Sequence, residues 1–138
     1  MLKYLMRCMM KNEFRKQREH LIFNLYQKEI FDHINQTYDP SFENEENEKL
    51  YLDILEHLDE IDDVIESQLF NYSLKRLAYV DRAIIRYATY EMMFTELAPE
   101  IILDEAIEIT KEYTNMDDGK QHKFSNKVLD NIKKIVKG

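Results

Sequence analysis

The stretch from Leu74 to Glu91, LKRLAYVDRAIIRYATYE, constrains the fold more than any other part of the chain. Drawn as a helix, it sets Val80, Ile84, Tyr87 and Ala88 on one face, while Ile85, Tyr90, Met92, Met93 and Phe94 carry apolar surface around almost the whole circumference. A helix apolar on most sides is a buried one, so this segment is expected to be the central rod of a bundle, wrapped by amphipathic neighbours. Two features break the pattern. Glu91 falls inside the Val80/Ile84 arc, where an unpaired carboxylate is costly, so a cation or hydroxyl partner is expected. Lys75, Tyr79, Arg82 and Arg86 follow one another at i, i+4, i+7 and i+11. On a continuous helix they form the one polar stripe, where the rod meets solvent or a partner.

Only two glycines and two prolines punctuate 138 residues, and Leu, Glu, Lys and Met abound. Sheet proteins need denser turn chemistry, so the chain reads as all-α. The scarcity of glycine also excludes a P-loop and a GxGxxG fold, whose glycines let backbone approach phosphate. A single cysteine, Cys8, excludes an internal disulfide and a cysteine zinc site, and no apolar run reaches the roughly 18 residues of a membrane span. A cytoplasmic protein without a membrane contact is expected. Residues 1–9 read as a flexible leader, and residues 10–138 as one domain with sub-bundles over about 10–72 and 73–138.

The net charge of −8 speaks against nucleic acid, but its distribution matters more. Lys3, Arg7, Lys11, Arg15, Lys16 and Arg18 crowd the first 20 residues, while residues 39–66 hold 12 carboxylates against Lys49 alone. Both ends of the chain are therefore basic.

The first helix is expected from about Lys11 to Asn35, with polar early turns projecting and Leu21 to Ile34 embedded. Arg18, near the wheel angle of Phe14 and Leu25, reads either as snorkelling over the core edge or as a phosphate contact. Residues 37–48 read as a loop around Asp39-Pro40, followed by helices over 45–56 and 58–71 with Leu52 and Phe70 among the inward residues. The carboxylates of these helices lack the alternating ligands and loop glycine of a calcium site and read as a solvated face. Pro99 suits the first position of a helix whose inward stripe is Ile102, Ala106, Ile109 and Tyr113. After a turn at Asn115–Gly119 the last helix turns Phe124, Val128, Ile132 and Ile135 inward, beside a basic ridge of Lys120, Lys123, Lys127 and Lys134. His20, His33, His57 and His122 are scattered without metal or triad spacing, so neither a metal, a cofactor nor an enzyme is expected.

Four ordered segments carry a resemblance. FRKQREHLIFNLYQ, RLAYVDRAIIRYATYEMM, APEIILDEAIEITKEY and HKFSNKVLD together resemble the NusB family of bacterial transcription antitermination factors. Ser125 and Lys127 depart from the family's usual Val and Gly. The resemblance implies about seven helices in two three-helix bundles sharing one core. It also implies binding of the single-stranded boxA element of ribosomal RNA leaders together with NusE, a small-subunit ribosomal protein, and, through that complex, contact with other Nus factors and RNA polymerase. Carried over, the RNA contacts fall on Arg15, Lys16, Arg18, Tyr26, Lys123, Phe124 and Asn126, to which the basic ridge adds Lys120 and Lys127. The NusE contact falls on Asp81, and the polar stripe adds Lys75, Tyr79, Arg82 and Arg86 as partner residues. A homodimer of the free protein stays open. So do two other readings, a helical protein adaptor with little RNA affinity and a detached relative of the N-terminal domain of ribosomal RNA cytosine methyltransferases.

Overall fold

The computed structural model describes the backbone of residues 2–70, 72–113 and 120–137, and side chains over 14–70, 72–113 and 123–137. Its described residues form six α-helices and one 3-10 turn, with no strand, where about seven helices were expected. They are α1 (Leu2–His33), α2 (Glu45–Glu56), α3 (Leu58–Ser67), α4 (Tyr79–Phe94), α5 (Pro99–Tyr113) and α6 (Lys120–Val136), with the 3-10 turn Leu74–Arg76 between α3 and α4.

Helix α1 begins at Leu2, well before the expected Lys11, so the helix runs through the stretch read as a leader. It stops where Asn35 takes a left-handed φ of 57°, a conformation asparagine tolerates. The N–H of Gln36 then closes on the Phe31 carbonyl at 2.8 Å. Asn24 on α1 is 2% exposed. It accepts from Tyr38 Oη at 2.5 Å and donates to the Ser41 carbonyl at 3.4 Å, which straps the following loop onto the helix. Asn44 opens α2 by accepting the Asn47 N–H at 2.8 Å, with Glu45, Glu46 and Glu48 in the first turn against the positive helix end.

The expected rod is interrupted. Leu77 and Ala78 are extended, with ψ of 145° and 150°, so the helix proper starts at Tyr79. Leu74 and Leu77 are both buried; anchoring both from a short turn costs the segment its helical phase. From Tyr79 onward Ala83, Ile84, Ile85, Tyr87, Ala88, Tyr90 and Met92 are all buried as expected, whereas Phe94, at the end of the helix, is exposed. Helix α4 packs against α1, α3, α5 and α6. Each fully buried Ile there contributes roughly 1.5–3 kcal/mol.

Elsewhere the inward faces shift. Pro99 does begin α5, where the Ala98 carbonyl accepts from Ile101 and Ile102. Ile102, Ala106 and Ile109 point in, but Tyr113 is half exposed. On α6 the buried residues are Ser125, Val128, Leu129 and Ile132, so the helix is turned from the expected arc and Ile135 faces solvent. Helix α3 ends at Ser67 rather than residue 71, which leaves Phe70 in solvent, and Leu52 on α2 also points outward. The expected turn at Asn115–Gly119 lies outside the described residues.

Candidate nucleic-acid interface

The two basic ends of the chain meet. Arg15 of α1, Lys123 and Asn126 of α6, and Glu105, Glu108 and Lys111 of α5 line one groove of about 640 Å³. Arg15 donates through Nε to Glu105 Oε2 at 2.8 Å and through Nη2 to Oε1 at 3.2 Å. This fork holds the guanidinium at the groove wall, and the hydrogen bond to Glu105 raises its pKa further, so it stays charged at any working pH. The Arg15 side chain keeps a third of its surface in solvent. Lys123, Asn126 and Lys127 are exposed on α6, with Lys127 one turn beyond Lys123 on the same face. Lys16 is exposed as well, about 100° around α1 from Arg15. Among the described residues Lys16, Lys123 and Lys127 have no ion-pair partner. Lys120 belongs to the same ridge in sequence, but its side chain lies outside the described residues.

Arg18 does not belong to this surface. Only 7% exposed, it clasps Glu91 of α4 with Nε–Oε1 at 2.9 Å and Nη2–Oε2 at 3.2 Å. It is the partner that Glu91 required, and the phosphate contact read for it is corrected. Burial pushes the Glu91 carboxyl above its ordinary range, and the Arg18 hydrogen bonds pull against that shift.

The polar stripe read for the rod is corrected too. Arg86 makes a two-pronged contact with Asp62 of α3, at 2.8 and 2.9 Å, and also bonds Glu29 of α1. Arg82 pairs with the same Glu29 at 2.5 Å and lies 4.5 Å over the Tyr79 ring. With side chains only 11% and 13% exposed, Arg82 and Arg86 tie α1, α3 and α4 together and present little to a partner. Asp81, read as the NusE contact, is 5% exposed. It stands in the first turn of α4, where a carboxylate suits the helix dipole. Lys75 is exposed on the 3-10 turn, cut off from the stripe by the extended Leu77–Ala78 step.

Tyr26 lies 11 residues beyond Arg15, roughly 16 Å along α1. It lines a separate groove of about 330 Å³ with Phe23, Val80 and Tyr113. Phe23 and Tyr113 are each 54% exposed, a concentration of aromatic surface that the sequence reading missed. Phe124 is half buried, its ring 5.6 Å from that of Tyr72. A mostly apolar cavity of about 710 Å³ touches, of the predicted RNA residues, only Arg18, whose guanidinium is already paired with Glu91. Glu105 was also missed as part of the site. Its signal was its place one turn from Ile102 and Ile109 on the inner stripe, where a carboxylate demands a cation.

Among the described residues no group of His, Cys, Asp and Glu could hold a metal ion, and no helix is long and apolar enough to cross a membrane.

The profile of the NusB family matches residues 2–134, ahead of the expected start near Met10. The chain is 38% identical over 128 residues to the transcription antitermination protein NusB of Bacillus subtilis, covering 88% of this chain and 95% of that protein. It superposes on Thermotoga maritima NusB with a TM-score of 0.73 at 33% identity, over 87% of this chain and 89% of the other. A second solved structure, of antitermination factors NusB and NusE in complex with double-stranded RNA, is similar at a TM-score of 0.66 and 26% identity, over 88% of this chain and 96% of that one.

Proposed function

The chain belongs to the NusB family, and from that premise we propose that it is a transcription antitermination factor that binds the boxA element of ribosomal RNA leader transcripts together with NusE. It is not an enzyme. The observation that carries the RNA reading is the convergence of Arg15 with Lys123 and Asn126 on one groove, from opposite ends of a chain that is otherwise acidic. Inside the groove three cations face Asp104, Glu105 and Glu108, so its own charge is balanced. The positive excess comes from the exposed Lys127 and Lys16, next in sequence to the groove residues Asn126 and Arg15, which can neutralise phosphates. Single-stranded RNA needs such cations together with aromatic faces for stacking, and Phe124 stands next to Lys123.

NusE is assigned to the groove of Phe23, Tyr26, Val80 and Tyr113. Aromatic anchors in a desolvatable groove suit a protein partner, and Asp81 stands next to Val80 in the first turn of α4. In the cytoplasm the complex then engages other Nus factors and RNA polymerase.

The test is a salt titration of binding to boxA and scrambled RNA, with and without NusE. A preference for boxA that grows when NusE is added supports the reading. Equal affinity for both RNAs in the presence of NusE would leave a protein adaptor as the better account.

A further inference from the structure

Tyr72 bridges two stretches that are far apart in the chain. Its ring packs on Phe124 of α6 at 5.6 Å between centroids, and its hydroxyl donates to the Arg76 carbonyl at 3.3 Å. The connection between α3 and α4 is thereby held against the early turns of α6. Packing does not hide these rings: Tyr72 keeps 41% of its surface in solvent, and Phe70 is 72% exposed, the highest value among the large apolar side chains described. Four exposed cations lie close to these rings in sequence, Lys75 and Arg76 on the 3-10 turn after Tyr72 and Lys123 and Lys127 on α6 either side of Phe124. None of the four has an ion-pair partner among the described residues.

We propose that this strip continues the RNA path beyond the α1/α5/α6 groove, stacking unpaired bases on Tyr72 and Phe70 and holding their phosphates on Lys75 and Arg76. The proposal rests on the RNA-binding reading above and extends it to residues outside that groove. Its chemistry is that of sequence-tolerant single-strand binding, in which rings take bases of any kind and cations follow the backbone. A protein-docking face fits less well, because lysine is depleted from the buried core of such interfaces. A strip with four free cations in a chain of net charge −8 selects a polyanion.

The experiment measures anisotropy of two labelled RNAs in the presence of NusE, one of about 12 nucleotides containing boxA and the same RNA extended on both sides to about 24 nucleotides, lengths chosen against single-strand site sizes. Wild-type protein is expected to bind the longer RNA more tightly. Lys75→Ala with Arg76→Ala should abolish that advantage and lower the salt slope for the longer RNA by roughly 0.7 per lost contact. Phe70→Ala should weaken the longer RNA by roughly five- to a hundredfold if it carries a base. Tyr72→Leu, which keeps an apolar contact with Phe124, should act in the same direction, and a thermal melt of each variant checks that the fold is retained. Binding of the shorter RNA should be unchanged throughout. Equal losses on both RNAs, or no loss on either, would overturn the extension while leaving the groove reading intact. Weakened NusE capture with unaltered RNA affinity would make the strip a protein face and also overturn it. Wild-type protein that bound neither RNA would defeat the groove reading itself.

Discussion

Arg18, Arg82 and Arg86 lie in the seams between α4 and its neighbours, whereas Lys16, Lys123 and Lys127 stand in solvent. The difference follows side-chain chemistry. A guanidinium is planar and weakly hydrated, and it offers a fork that matches a carboxylate, as Arg18 does with Glu91 and Arg86 with Asp62. A lysine ammonium holds its water more strongly and stays outside. The buried arginines therefore serve the fold, and the exposed lysines remain available for phosphate. Arg15 is intermediate: forked to Glu105 but one-third exposed, it belongs to both groups.

The division can be broken most forcefully at Arg18. Arg18→Ala leaves Glu91 buried without its cation and should cost about 3–5 kcal/mol in a urea melt. That is comparable to Ile84→Ala, an apolar cavity at a residue 1% exposed, expected at about 2–5 kcal/mol. Replacing the pair together, Arg18→Met with Glu91→Leu, should recover most of the loss. A mild Arg18→Ala would return Arg18 to the surface group.

Arg86→Ala comes next. It strands Asp62 and Glu29, both partly exposed, and should cost about 2–4 kcal/mol. A loss within about 1 kcal/mol would show the stripe to be as solvated as the sequence alone implies. On the other side of the division, Lys123→Ala and Lys127→Ala should leave stability within about 0.5 kcal/mol. Each should lower the salt slope of RNA binding by roughly 0.7. A lysine variant that melted early would blur the contrast.

The smallest effect concerns His57, at the α2/α3 junction. Its backbone hydrogen bond to Asp53 raises the imidazole pKa above the ordinary 6.5, and Asp53, Glu60 and Glu56 add to the shift. The folded state thus holds the proton more tightly than the unfolded chain. The resulting stabilisation is complete below the unfolded pKa and lost as pH rises through the folded one. Melts of wild type and His57→Gln between pH 5 and 8 should therefore draw together toward the alkaline end, a range set by where histidine titrates.

Much of the fold was legible because burial writes itself locally. Ile84, Ile85, Ala88 and Met92 identify α4 as interior from their own spacing, and Pro99 marks the start of α5. What a helical wheel does not show is what lies across from a face. Arg82 and Arg86 share a polar stripe, yet the carboxylates covering it come from α1 and α3, and Glu29 is 57 residues from Arg86 in the chain. Arg15 meets Glu105 across 90 residues. The break at Leu77–Ala78 was hidden for another reason. Neither residue disfavours a helix, and the interruption comes from burying Leu74 and Leu77 together, a tertiary demand. The candidate site was legible as two basic ends, whereas which cations stay free depends on those distant pairings.

On the ribosome, α1 must wait for α4. The acid that Arg18 needs lies 73 residues downstream, and the arginines that close over Glu29 follow it by more than 50. At roughly 5–20 residues per second, several seconds separate the emergence of His33 from that of Phe94, whereas a helix forms within about a microsecond. Throughout that interval only the following loop and α2 are available to cover the apolar ridge of Leu21, Ile22 and Leu25. A nascent chain stalled before Tyr79 should accordingly be a strong client for a chaperone at the exit tunnel, and one released after Phe94 a weak one.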